Sequence, residues 1–299
     1  MNGMSAKTPD ILCIGAALWD VIGRTGRVMG KGHDVPGRIA HIPGGVALNA
    51  AIAFARRGWR PAILSAVGRD AEGEALLAAS EALGVDCRFV AREGGLPTDV
   101  YMAIEDKAGL IAAIADVHSL EAAGAAILAP LRDGRLPAPW TGPVVTDGNL
   151  TAAQLAALGD DPAFVQADLR IVPASPGKAE RLLPLARRAG SCFYLNRIEA
   201  EILAGRDFND AAEAAQGMLG LGMARVLVTD GAASVAEAAQ GEEAVTARPP
   251  EVEIVRVTGA GDCFLAAHIT AERAGMDRAA ALTAAASAAA AHVSGKDLP

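Results

Sequence analysis

Apolar residues along this chain fall into short unbroken runs, separated by longer segments with a helical repeat or an alanine-rich composition. Short runs bounded by glycine or proline read as buried strands, and the segments between them as helices. Ile11 to Gly15 is the first such strand. GGVALNAAIAFARRG then reads as a glycine turn opening a helix that ends at Gly58. PAILSAVG is another buried strand, and AEGEALLAASEALG a helix closed by Gly84. Residues 23–41 are too polar and too punctuated for a core, which predicts exposed strands or a flap. Residues 98–117 read as two strands joined at Lys107-Ala108-Gly109.

The second half repeats the alternation. GPVVTDGN, DLRIVPAS, CFYLN, RVLVTDG and EIVRVTGAGD read as strands, with TAAQLAALG, KAERLLPLARRAG and the segment after Asn196 as helices. Asp133 to Pro143 is the one long loop, and the alanine-rich C-terminal third favours packed helices. Strands and helices alternating throughout predict an α/β fold with a mostly parallel sheet covered on both faces.

Composition narrows the function. Hydrophobic residues make up 52% of 299, but aromatics only 4%, so the core is built from Ala, Leu, Val and Ile. The 27 basic and 35 acidic residues leave a net charge of -8, and no basic run with interleaved aromatics occurs, which argues against nucleic acid as a partner. Cys13, Cys87, Cys192 and Cys263 are scattered without metal-ligand or disulfide spacing. With no apolar signal core and no stretch of about 18 uncharged apolar residues, a soluble, cytoplasmic protein with no membrane partner is expected.

Three segments carry chemistry. Thr258 to Asp262 (TGAGD) puts glycines Gly259 and Gly261 around Ala260 at a helix start, a cluster of backbone N–H groups at the positive end of a helix dipole. Glycine admits an anion close to the backbone, and Asp262 could take the proton of an attacking hydroxyl there. An ordinary helix cap is the competing explanation. In PGGVALNAA, Gly44 and Gly45 let the backbone close around ligand hydroxyls, and Asn49 adds a donor and an acceptor. In NRIEAE, Asn196 and Glu199 fall on one side of a helical turn, suited to phosphates or to Mg²⁺ through water; a solvated helix start is the alternative. GRVMGKG is a false P-loop, since Gly32 stands where Ser or Thr is required. The five histidines show no ligand spacing, and His268 reads as a core residue.

Taken in order, Gly44-Gly45…Asn49, Gly68-Arg69-Asp70, Asn196…Glu199 and Gly259-Ala260-Gly261-Asp262 resemble the ribokinase-like (PfkB) carbohydrate and nucleoside kinases, from Ile11 to about Val293. The resemblance implies one ribokinase-like doubly wound α/β domain with a small β-sheet lid, formed by about 21–42 and 98–115. It implies ATP and Mg²⁺, with Asp262 as base and the amides of residues 259 to 262 as anion hole. Asn196, Glu199, Thr229, Gly231 and Thr258 would serve ATP and the metal, with Glu199 reaching Mg²⁺ through water. Asp20 and the 44 to 49 segment would hold the acceptor's hydroxyls, with Tyr101 and Asp116 from the lid strands. The strand ending at Asp116, together with TDGNL and PASPGKAERL, resembles the pseudouridine kinases within that family. A sugar kinase for ribose, fructose or a keto-sugar acid is the second reading, and Tyr101, Val117 and His118 as base contacts would separate the two. A catalytically silent binder is the third. Two residues depart from the family pattern: Asp230, a negative charge beside the expected ATP, and Arg256, in a lead-in near which family members hold a monovalent cation such as K⁺. The uncovered edges of a lid sheet further suggest a homodimer.

Overall fold

The computed structural model describes residues 8–92 and 95–296. Twelve strands follow in chain order: β1 (Ile11–Ile14), β2 (Leu18–Arg24), β3 (Arg38–Gly44), β4 (Pro61–Leu64), β5 (Val100–Asp106), β6 (Gly109–Asp116), β7 (Pro143–Asp147), β8 (Asp168–Val172), β9 (Cys192–Asn196), β10 (Arg225–Asp230), β11 (Ser234–Ala239) and β12 (Val245–Ala247). Eight of them form one sheet in the order β12-β11-β10-β9-β8-β7-β1-β4. From β4 to β10 all neighbours are parallel, and β11 and β12 continue antiparallel at one edge. The parallel strands are buried almost throughout, because helices cover both faces. Those faces hold two separate apolar clusters, one around Leu12, Phe164 and Phe193, the other around Ile11, Phe54 and Leu265.

The chain leaves β1 outward to β4 and returns to β7 on the other side of β1. Where the direction of winding changes, the carboxyl ends of β1 and β7 diverge and open a crevice, the usual ligand position in such sheets. A buried carboxylate holds this junction together. Asp147, at the end of β7, accepts from the amides of Ala16 (3.0 Å), Ala47 (2.9 Å) and Asn149 (2.8 Å). It therefore fixes the end of β1 and the start of the helix Val46–Ala55 at one point. Gly15 is obligatory beside it, since a Cβ there would overlap the Asp147 carboxylate.

The second sheet, in the order β3-β2-β5-β6, stands beside this crevice. The strands expected over 98–117 are its β5–β6 hairpin, with the turn at Lys107-Ala108-Gly109. Residues 23–41, read as exposed strands or a flap, supply the end of β2, an exposed loop and most of β3.

Two expectations fail for physical reasons. KAERLLPLARRAG contributes to a 3₁₀ helix over Pro176–Leu185, which has Pro184 inside it, a residue with no N–H to continue an α-helical ladder. EIVRVTGAGD has no strand: residues 248–258 run as an exposed strap, and the amides of Val255 (2.9 Å) and Arg256 (3.1 Å) donate to the Val293 carbonyl at the end of the last helix, Arg278–Val293. Replacing Asp147 with Ala strands three buried N–H groups, so urea unfolding should show a loss of about 3 kcal/mol.

Candidate active site

The glycine turn of residues 259–261 opens the helix Ala260–Arg273, in which Gly259 has φ 84° and no side chain caps the first turn. Cys263 N–H returns to Gly259 O (2.9 Å), and Ala260 N–H donates to Val257 O (3.1 Å). Of the expected anion hole, Ala260 is thus spent on its own turn. Helix geometry directs the amides of Gly261 and Asp262 outward, without intrahelical acceptors. A Cβ on Gly261 would meet no protein atom within 4 Å, so the chain itself does not require glycine there.

Asp262 is half-buried at the floor of a cavity of about 830 Å³. Burial, with the negative charges of Asp147 and Asp20, raises its proton affinity to about 7, against a hydrogen bond from the Asn49 side chain that lowers it. Asn49 reaches it from the first helix, whose position Asp147 sets. Asp20 on β2 lies on the other side, pushed up to about 6 by burial. Gly44 makes room for it, since any Cβ at 44 would stand inside the Asp20 carboxylate. Gly45, at φ 93°, approaches the Ala16 carbonyl where a side chain could not. The structure thus gathers Asp20, Gly44, Gly45 and Asn49 about Asp262, of which Asp262 lines the cavity.

Along its length the same cavity is lined by Asn196, Glu199, Thr229 and Gly231. Asn196 and Glu199 form a reciprocal cap: Asn196 Oδ1 accepts from Glu199 N (2.9 Å), and Glu199 Oε2 accepts from Asn196 N (2.8 Å). The pair is thus a helix start, as the alternative reading has it, but Glu199 is not solvated. Glu199 is buried, which lifts its proton affinity to about 7 against the two bonds from Asn196. Among the described residues no three His, Cys, Asp or Glu side chains converge to hold a metal. One buried carboxylate beside a phosphate-sized space still fits Mg²⁺, which takes few protein ligands and completes its shell with phosphate and water. The far wall is apolar, with Val252, Ile254, Ala286, Ala289 and Val293.

Several expectations change in detail. Asp230 is not a bare charge, because Arg197 pairs with it at 3.0 Å, and with Glu201 at 2.5 Å. Thr258 is exposed, and its carbonyl faces the His292 imidazole. Asp116 does not join the cluster: it sits exposed at the end of β6, hydrogen-bonded to His118 at 2.6 Å. Tyr101 is half-buried near Asp20, whose charge helps burial raise its proton affinity. His268 is fully buried; its Nδ1 meets the Tyr194 hydroxyl at 2.8 Å and its ring stacks on Phe264. Tyr194 and Phe264 line the cavity as well, and nothing in their local sequence marks them. Sequence reasoning also gave Asp147 no role of its own, since a lone Asp after a strand is commonly a cap.

The matched family model is that of the pfkB family carbohydrate kinases, over residues 8–298. The pseudouridine kinase of Escherichia coli (strain K12) is 30% identical over 265 residues, which is 86% of this chain and 81% of that one. A carbohydrate kinase from Agrobacterium tumefaciens superposes with a TM-score of 0.79 at 27% identity, over 96% of this chain and 93% of that one. Ribokinase from Arabidopsis thaliana, solved with ribose and ATP, shares the fold with a TM-score of 0.77 at 21% identity, over 96% of this chain and 93% of its own. A family match across nearly all described residues, on a ribokinase-like fold, leaves one assignment: the protein belongs to the pfkB family of carbohydrate kinases, which are phosphotransferases.

Proposed function

We propose that the protein transfers the γ-phosphoryl group of ATP to the 5′-hydroxyl of a nucleoside, pseudouridine first among them. One observation carries this reading: a carboxylate with its proton affinity raised to about 7 stands beside two outward-facing helix amides, at the end of an 830 Å³ cavity. The hydroxyl of the acceptor gives its proton to Asp262 as its oxygen bonds to the γ-phosphorus. The bond from that phosphorus to the departing ADP oxygen breaks in line. The N–H groups of Gly261 and Asp262 then face the negative charge on the transferring group. Asn49 and Asp20 hold the acceptor's hydroxyls, and the Gly44-Gly45 backbone closes beside them. Asn196, Glu199, Thr229 and Gly231 would hold the nucleotide phosphates and the metal. Mg²⁺, when bound with ATP, would offset phosphate charge and restore the ionised form of Glu199.

Pseudouridine is favoured by the Escherichia coli pseudouridine kinase, at 30% identity. A free sugar remains the second reading, because Asp20 and Asn49 serve hydroxyls equally well. In this proposal the second sheet closes over the acceptor as a lid. Asp116 and His118 then belong to the lid's rim and contact the acceptor only on closure. The lid's other face carries Ile39, Met102 and Ile114, which are 80%, 50% and 71% exposed, in neighbouring register. Such a face suits a second copy of this chain. Light scattering should then give the mass of a dimer, and Ile114→Glu a monomer; a monomeric parent chain ends the idea.

The base assignment has two signatures. Asp262→Asn should lower kcat by about 10³-fold with little change in acceptor KM. In the parent enzyme, kcat/KM should fall about tenfold per pH unit below about 7, because protonation removes the base. The sign for stability is opposite. The folded state holds this proton more tightly than the unfolded one, so stability of the unliganded chain falls as pH rises from about 4 to 7. Asp262→Asn should flatten that part of the thermal profile.

Substrate choice is read directly from ADP release, with Mg²⁺ and ATP, across pseudouridine, uridine, adenosine, ribose and fructose. Selective turnover of pseudouridine is expected, and selective turnover of ribose or fructose transfers the assignment to a sugar. Inertness toward the whole panel argues for the silent binder. Arg256 Nε donates to the His292 carbonyl at 3.0 Å, putting a fixed positive charge in the lead-in where the resemblance implies potassium. The rate should therefore be unchanged when sodium replaces potassium, and strict dependence on potassium would contradict this role of Arg256.

A further inference from the structure

The strap that precedes the glycine turn and the last helix meet at one imidazole. His292, in the final turn of the helix Arg278–Val293, places Nε2 2.9 Å from the carbonyl oxygen of Thr258. A carbonyl only accepts, so Nε2 carries the proton. On the other side of the ring, Nδ1 lies 3.3 Å from Nη2 of Arg256. A guanidinium only donates, so Nδ1 is the acceptor in that contact. Arg256 is itself fixed, by Nε on the His292 carbonyl (3.0 Å) and by its backbone N–H on the Val293 carbonyl (3.1 Å).

These contacts do more than finish a helix. The Val255 and Arg256 amides already satisfy Val293, and Arg256 Nε satisfies His292. The imidazole's bond to Thr258 adds nothing to that cap. It acts on the peptide joining Thr258 to Gly259, the residue whose φ of 84° starts the helix of Asp262. The imidazole also lies over Gly259, since a Cβ there would stand 3.1 Å from its Nε2.

We propose that His292, oriented by Arg256, is a positioning residue that clamps the Thr258 carbonyl and so aims the first-turn amides of the Asp262 helix. This rests on the reading of Asp262 and its glycine turn as the catalytic machinery. Neither residue touches the reacting atoms. They set the orientation of a turn that no side chain caps.

The test compares His292→Leu, which removes both bonds, with His292→Gln, whose amide offers a donor and an acceptor in one side chain. Single-turnover rates with ATP and the best acceptor should fall about 10–100-fold in the Leu variant, the scale of a misaimed catalytic group. The acceptor KM should hold, and the Gln variant should return to within about threefold of the parent. Arg256→Leu, which takes the guanidinium from Nδ1 but leaves Nε2 on Thr258, should give a smaller loss. Hydrogen exchange of the Ala260 and Cys263 amides, which the turn holds on Val257 and Gly259, is the second readout and requires no turnover. Exchange should quicken in His292→Leu and not in His292→Gln, with other helices unchanged. A Leu variant with parental rate and exchange overturns the clamp, as does a Gln variant impaired as badly as Leu. Quickened exchange in a protein that phosphorylates no acceptor keeps the clamp and removes the functional reading instead.

Discussion

Everything at the open end of the sheet depends on placing carboxylates of like charge close together. Asp147, Asp20 and Asp262 share one crevice, and the charges of the first two raise the proton affinity of the third. Buried charge of this kind is costly unless polar partners meet it. Asp147 is met by three backbone amides, which also lower its proton affinity against the effect of burial. The same contacts join β1, β7 and the first helix. One group thus supplies both the structural tie and much of the local field.

Asp262 receives no comparable compensation. A hydrogen bond from Asn49 is its one resolved favourable contribution, and burial outweighs it. Its ionised form is therefore disfavoured, which is how a carboxylate comes to exchange a proton near neutral pH. The helix beneath Asp262 is braced two turns further on. There His268 bonds Tyr194, Tyr194 receives a hydrogen bond from Arg170 at 3.0 Å, and Arg170 pairs with Asp168 and Glu272 at 2.7 Å. Within and beside this polar network, His268 Nε2 and Glu237 Oε2 are buried without a hydrogen-bond partner, so the network and the cavity-facing cluster both hold incompletely satisfied groups.

The nucleotide-sized end of the cavity follows a different logic. Its walls are Ala and Val from the last helix and an exposed strap, so little polar surface has to be satisfied before a ligand arrives. The acidic groups that do occur nearby have local partners, Asp230 an ion pair with Arg197 and Glu199 the helix start that it caps. An acidic chain can in this way receive a polyanion without a basic patch, through backbone amides and metal.

Strand order is a matter of apolar runs and glycine punctuation, and both are local properties. The sequence by itself accordingly determined the alternating fold, the hairpin at Lys107-Ala108-Gly109 and the ordered motifs that resemble a kinase family. Pro184 was legible too, had its missing donor been weighed against the helical repeat. Tertiary structure alone decided what each charge faces. Asp147 had no role of its own until the amides of Ala16 and Ala47, from two other segments, converged on it. Asp230 looked repulsive until Arg197, on a neighbouring helix, came within 3.0 Å. The strap before Gly259 looked like a strand because its residues are β-branched, and its hydrogen bonds go to a helix end instead. Pairing and burial depend on groups distant in sequence, which no local pattern encodes, and they set the proton affinities on which the chemistry rests.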